Sequence, residues 1–471
     1  MHDLRKKALL ESGKTLSRKA RLKPDGSRLK SDTPRSSANQ SPNQSPGNSR
    51  AGSRANSRPG SRYASEDEGG ASDADNDDDI MTMSTNSASA DDDEFDELSS
   101  STWSERLRDH IAEVKDRKRS IQAREETLAA YLHILRHHFA LSEIKKSVSE
   151  VVPALLRSIR GGGSEEERTL ATAALTMTIL TFPSETVFEH VLPTLKAACE
   201  EDEEATVKAE AIQALSLAVT YGGGSSTAAD EVLDYLLEII ESDGRSAGAD
   251  DNGAVVSAAL QAWAFVASHV EDLEAHSDQA IEAFMEQLDS TDPDVQTGAG
   301  CNIALLFEAA REYEQETGES FNLQYNQHRI MTRMAEIVKD SSKTISKKGR
   351  KQLRSKFSSI VTSLERGKGP GYSTAGRGAV NPHTGGNKTS GQAEFQEFGY
   401  REKLRVNDQI VVINTWSLHA RVETLKAVLG GGIGKHYMEN PVIKDILDSA
   451  EVELLWKPKK SKHSIAEEDE D

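Results

Sequence analysis

The chain has 471 residues, 36% hydrophobic and 28% charged, with a formal net charge of −20. That is poorer in apolar residues than a typical packed domain, so part of the chain is expected not to pack, and no apolar run reaches the ~18 residues of a membrane-spanning helix. The two cysteines, Cys199 and Cys301, exclude a disulfide framework and a four-cysteine zinc site. Both lie in apolar helical stretches and read as reduced core thiols of a cytoplasmic or nuclear protein.

Charge divides the first hundred residues. Residues 1–62 carry 15 Lys/Arg against 4 Asp/Glu, and residues 63–104 carry 14 Asp/Glu and no Lys/Arg. Residues 1–102 lack the apolar periodicity that offsets the entropy of ordering, and are expected to be a disordered arm, basic then acidic. The first 23 residues are basic with spaced leucines. They have no apolar core or cleavage site for a secretory signal, and Asp3 and Glu11 argue against a mitochondrial presequence. A basic arm that orders on an anionic partner and an idle solvated tail both remain open. Thr33, Ser41 and Ser45 precede prolines, and Ser65 precedes Glu66-Asp67-Glu68. These are candidate phosphorylation sites, and phosphate there erodes the positive charge of the arm.

From residue 103 to 366 the pattern is helical, punctuated by Gly161-Gly162-Gly163, Pro183, Gly222-Gly223-Gly224 and Asp292-Pro293. Twelve helices are expected, beginning near 104, 120, 143, 165, 184, 204, 228, 253, 276, 294, 324 and 346. Ser164 with Glu167 has capping-box spacing, and Ser184 is a candidate cap for the next helix. Three helices share apolar residues at i, i+4 and i+8: Val207, Ala211, Leu215; Val255, Ala259, Trp263; Val295, Ala299, Ile303. Leu170 and Ala174 begin a looser copy. A repeat near 40 residues, with alanines that let helices approach closely, predicts an all-α fold, an α-solenoid of armadillo or HEAT type. The loop Glu241–Gly253 is expected to hang from one edge.

Residues 367–392 are glycine-rich and read as a linker. Residues 393–456 read as a small C-terminal domain, with a strand pair or extended arm in Lys403–Trp416 and helices at Val422–Leu429 and Pro441–Ser449. The Gly430–Gly434 cluster reads as a helix cap and turn. Residues 457–471 form a charged tail. Pro458-Lys459-Lys460-Ser461-Lys462 is a candidate nuclear-import motif carried by Lys459, Lys460 and Lys462.

No catalytic constellation emerges. Gly385-Gly386-Asn387-Lys388-Thr389 lacks the glycine spacing and preceding strand of a phosphate-binding loop. His110, His137 and His138 lack metal-site spacing, and the acidic runs lack a calcium-loop frame. No cofactor, metal, small-molecule substrate or membrane is expected. The informative stretch is an acid-free island, Ser341–Leu364, where Lys343, Lys347, Lys348, Arg350, Lys351, Arg354 and Lys356 supply seven positive charges. On a helix, Lys347, Arg350, Lys351 and Arg354 share one face, and Leu353, Phe357, Ile360, Val361 and Leu364 share another. A basic face suits a phosphate backbone. It equally suits a helix that balances the charge of an acidic solenoid.

The helical body, the junction Ser346–Arg354 leading into Phe357 and Ile360, and a C-terminal pattern resemble the interferon-related developmental regulator family. The C-terminal pattern comprises Lys403–Val406, Trp416, Leu425–Gly430, His436, Asn440 and Ile443–Ile446. The resemblance implies a non-enzymatic, armadillo-like regulator. It further implies one of two roles: a factor on translationally inactive ribosomes that occupies tRNA and mRNA sites, or a transcriptional co-regulator working with histone-deacetylase machinery. The basic helix favours the first, with rRNA phosphates as partner and the C-terminal piece entering a channel. The import motif suits the second, with chromatin-regulatory proteins as partners.

Overall fold

The computed structural model describes residues 100–116, 118–321, 323, 325–340, 346–376 and 395–454. Twelve helices open the described chain: α1 (Ser100–Val114), α2 (Ile121–His137), α3 (Leu141–Gly161), α4 (Glu165–Thr181), α5 (Val187–Glu201), α6 (Ala205–Tyr221), α7 (Ser226–Glu241), α8 (Gly253–Ala267), α9 (Glu274–Gln287), α10 (Pro293–Thr317), α11 (Gln327–Asp340) and α12 (Lys347–Arg366). They form an α-solenoid of two layers. Even-numbered helices stack in order on one side and odd-numbered ones lie on the other, each pair being one repeat.

Local chemistry sets the starts. The side chains of Ser120, Ser164, Ser225, Asn252, Asp292 and Ser346 each accept a backbone N–H from the first turn that follows, meeting one donor that the helix leaves orphaned. Pro293 follows its cap directly, where a missing N–H costs nothing. The repeat residues behave as their period requires: Val207, Ala211, Leu215, Val255, Ala259, Trp263, Val295, Ala299 and Ile303 are all fully buried. Alanine at the middle position lets the even-numbered helices stack closely.

Three local expectations fail for identifiable reasons. Ser184 does not cap α5, which begins at Val187. Its backbone N–H instead donates to the Tyr221 carbonyl, helping to close the end of α6. Cys199 is buried, and burial pushes its thiol up to about 12, but Cys301 is only half-buried. The loop Glu241–Gly253 does not hang free. A short turn, Arg245–Ala247, packs against α5 and α7. There Lys208, 2% exposed, donates its ammonium to the carbonyls of Cys199 (3.1 Å), Glu200 (2.9 Å) and Ala247 (2.6 Å). The cation thus sits at the negative end of α5 and ties the loop to it. Burial pulls the pKa of this lysine down.

Part of the glycine-rich stretch is ordered. Strand β1 (Tyr372–Gly376) pairs antiparallel with β2 (Phe395–Tyr400), placing Tyr372 opposite Tyr400. A second sheet has order β3–β4–β5, from Lys403–Val406, Gln409–Val412 and Glu451–Leu454. Its first turn is the two-residue Asn407-Asp408, with Asn407 left-handed (φ 54°), as a tight hairpin demands. Between β4 and β5 come α13 (Trp416–Leu429), α14 (Ile433–Glu439) and α15 (Pro441–Ile446). The Gly430–Gly434 cluster is therefore more than a turn. Gly430 (φ 52°) ends α13, and the chain re-enters a helix at Ile433. The apolar residues of this C-terminal piece join the same buried cluster as those of the solenoid.

Candidate functional site

The C-terminal piece is seated across the even-numbered helices: α13 against α8 and α10, the Gly430–Gly432 turn and α14 against α2, and α15 against α4. Its polar contacts follow from a need of the solenoid itself. Every helix ends with carbonyls that have no intrahelical donor, and the ends of α2, α4 and α8 face this piece. His436 Nε2 donates to the Leu135 carbonyl at 2.8 Å, and Asn440 Nδ2 to the Leu180 carbonyl at 3.1 Å. Arg421 donates Nε to Ser268 Oγ at 3.2 Å and a terminal nitrogen to the Ser268 carbonyl. The end of α6 is closed from within the solenoid, by the Phe188 N–H on the Gly222 carbonyl. In the other direction, Arg136 of α2 donates to the Val428 carbonyl at 2.9 Å.

These bonds fix the histidine's state. With Nε2–H given to Leu135, Nδ1 is left as the acceptor for Asn440 Nδ2 at 3.3 Å. His436 is fully buried, and burial lowers its pKa, so the neutral ring is the one that fits. Asn440 also accepts the Val442 N–H with its carbonyl oxygen and so starts α15. Close approach explains the glycines. A Cβ on Gly432 would stand 1.8 Å from the Arg136 carbonyl oxygen. Gly432→Ala is expected to lower stability by about 1–3 kcal/mol or more through this overlap, read as a lower urea midpoint with the far-UV spectrum unchanged.

The start of α13 carries the second lock. Glu308 on α10 accepts the backbone N–H groups of Trp416 (2.6 Å) and Ser417 (3.0 Å), a carboxyl at the positive end of a helix. Burial nonetheless pushes its pKa up to about 7. Trp416, 1% exposed, donates its indole N–H to Ser363 Oγ on α12 at 3.0 Å. Beside it, Glu402 accepts from Lys356 at 2.9 Å and lies 2.9 Å from His419 Nδ1. The two cations outweigh burial and hold the Glu402 carboxyl far below the usual range. Burial and Lys356 oppose protonation of His419, yet Glu402 and Cys301 raise it to about 9.

The sign of the pH dependence follows. Glu308 and His419 titrate higher folded than unfolded, so their contributions are complete at low pH and are lost as pH rises through about 7 and about 9. Glu402 is shifted the opposite way, and its contribution is lost only in acid. Glu308 and His419 therefore pull stability down as pH rises, while His436 and His269, whose pKa values burial lowers, pull it up on leaving acid. Relative to the natural chain, Glu308→Gln should remove a loss that is complete near pH 7 and His419→Gln one that is complete near pH 9, read as differences in urea midpoint across the range.

Helix α12 joins this lock to an exposed charged face. Leu353, Phe357, Ile360 and Leu364 are buried and Val361 half-buried, packed on α10 and α11. Lys348, Lys351 and Arg354 are exposed and Arg350 is half-buried. Lys356 does not share that face: it turns inward to Glu402. Lys343 lies outside the described residues, as does the side chain of Lys347. So do Lys459, Lys460, Lys462, Thr33, Ser41, Ser45 and Ser65. The sequence singles out Trp416, Gly430, His436 and Asn440 but not their partners. Glu308 could have been noticed as an isolated acid in the apolar run Ile303–Ala310.

A family model described as interferon-related developmental regulator matches residues 78–365. That span exceeds half the chain. The chain belongs to the interferon-related developmental regulator family. It is 26% identical over 365 residues to an uncharacterized protein of Schizosaccharomyces pombe, covering 74% of this chain and 75% of that protein. It is 25% identical over 206 residues to mouse interferon-related developmental regulator 2, covering 43% of this chain and 38% of the mouse protein. Within the family match lie the solenoid and the basic residues of α12, while Trp416, His436 and Asn440 follow it in the chain. Buried residues of α13–α15 belong to the same core cluster as those of the solenoid.

Proposed function

We propose that this protein is a non-catalytic regulator that associates with ribosomes through rRNA phosphates and acts by occupying space on inactive ribosomes. One observation carries the reading. Lys348, Lys351 and Arg354 are exposed along a single helix whose other sides are held by the solenoid and by Trp416. A rigid cationic row on a chain of net charge −20 favours polyanion binding there in one orientation. The basic residues 1–62 are a second cationic stretch of the chain.

A sucrose gradient of tagged protein from growing and starved cells, at low and high salt, tests it. Co-migration with monosomes, lost at high salt, is the expected result. Protein found only at the top of the gradient in both states overturns it. In that case the import motif at Lys459 and Lys460 makes a nuclear scaffold for histone-deacetylase-linked regulation the alternative. Its mark is nuclear accumulation that depends on those two lysines.

A further inference from the structure

Beside the lock at the start of α13 the packing leaves a cavity. It opens between α8, α10 and α13, has a volume of about 240 Å³, and its wall includes Cys301, Lys356, Trp416, His419, Ala420 and Glu423. Neither the seating of the C-terminal piece nor polyanion binding on α12 makes use of it. Cys301, on α10, is half-buried there, whereas Cys199 is fully buried and lies outside the cavity.

Three reactive groups converge in it. The His419 ring, 5% exposed, sets Nδ1 2.9 Å from Glu402 and lies within hydrogen-bonding reach of the Cys301 sulfur. Lys356 gives one N–H to Glu402. Its other close neighbour, His419 Nε2 at 3.5 Å, belongs to an imidazolium and cannot accept. The ammonium therefore keeps N–H donors for an occupant of the cavity. A sulfur beside a buried imidazolium, itself oriented by a carboxylate, has the layout of an activated nucleophile. The donors next to it can meet negative charge that develops on a carbonyl oxygen during attack. Charge narrows the ligand further. Glu402 and Glu423 stand against the two cations, and exposed Asp294 also lines the cavity. An anion gains little in such a site, and an uncharged molecule fits it better.

We infer that Cys301 is a covalent modification site for small uncharged α,β-unsaturated carbonyl compounds, bound in this cavity with the carbonyl oxygen on His419 and Lys356. The S–H bond breaks and a sulfur–carbon bond forms at the β-carbon. The C=C electron pair passes through the enolate to the α-carbon, which takes up one proton, so the thiol and the alkene add up to a thioether. No oxidant is consumed and nothing leaves. The event is stoichiometric, because the thioether stays on the chain, and it does not depend on the ribosome reading. The adduct is fixed to α10 and lies against Trp416, Ala420 and Glu423 of α13, where it bears on the seat of the C-terminal piece.

The test uses the full-length chain with acrylamide as the unsaturated probe. Iodoacetamide is the comparison, since it alkylates by expelling iodide and forms no enolate. Rates are read by mass spectrometry on the peptides holding Cys301 and Cys199, against a short unstructured peptide with one cysteine. Acrylamide should add to Cys301 at least about tenfold faster than to the peptide, and this gain should exceed the gain with iodoacetamide. His419→Gln and Lys356→Met should each remove most of the excess. Cys199 should stay unlabelled throughout. Its labelling marks a variant that has unfolded, and the two gains in the natural chain then decide. Three results overturn the inference: acrylamide addition to Cys301 no faster than to the peptide, equal gains with the two reagents, or folded His419→Gln and Lys356→Met chains that keep the excess.

Discussion

Trp416→Ala is expected to cost about 3–5 kcal/mol, the range for removing a large buried aromatic. The indole is buried between α12 and α13, donates to Ser363 Oγ, and stacks edge-on with His419 at 5.4 Å. Its removal leaves a void where Glu402, His419 and Lys356 are held, so loss of packing and loss of an ordered charged cluster act together. The measurement is hydrogen exchange with a urea titration. Protection in Trp416–Leu429 should fall most, with α4 and α6 less affected, because the backbone bonds of Trp416 and Ser417 to Glu308 do not need the side chain. Trypsin should then cut faster at Arg421 and Lys426. An unchanged midpoint and unchanged cleavage at both sites contradict a core role for α13.

The contrast between what could and could not be read in the sequence is a contrast of range. The solenoid is legible because its signals are local. The spacing of Val207, Ala211 and Leu215 repeats in α8 and α10, and capping serines and glycines punctuate it. Helix starts were misplaced where the cap is not a side chain, as at Val187. The seating of the C-terminal piece is illegible because its bonds join residues far apart: Trp416 to Glu308, Asn440 to Leu180, His436 to Leu135. No periodicity encodes a carbonyl at a helix end. The glycines are legible in part for the same reason. Gly430 ends α13 as the cap the sequence suggests, whereas the need for Gly432, which lets a distant backbone approach, is not visible in the sequence. Lys356 shows the same limit in charge patterning. By spacing it belongs to the basic island, but a partner 46 residues away draws it inside.

Reversing charge at Lys348, Lys351 and Arg354 should produce the largest functional effect. If each neutralises one phosphate, three released counterions give a log–log salt slope of roughly −2 to −3. Affinity should then drop on the order of 20- to 40-fold between 50 and 200 mM salt. Lys348→Glu/Lys351→Glu/Arg354→Glu turns three attractions into repulsions and should remove monosome co-sedimentation even at low salt. The three side chains are exposed, so the fold should be spared: helical content and urea midpoint unchanged. Lys356→Glu provides the internal comparison. It places a third carboxylate beside Glu402 and Glu423, near the buried His419, so it should lower stability sharply, whereas Lys356→Met should leave the salt slope as it was. A triple variant that still sediments with monosomes at low salt rules out this helix as the anchor. A triple variant that loses sedimentation only through unfolding is recognised by its midpoint. The separation is possible because α12 divides its labour by face: a buried face on the solenoid, an inward edge tied to Glu402 and Trp416, and an outward row with no structural duty among the described residues.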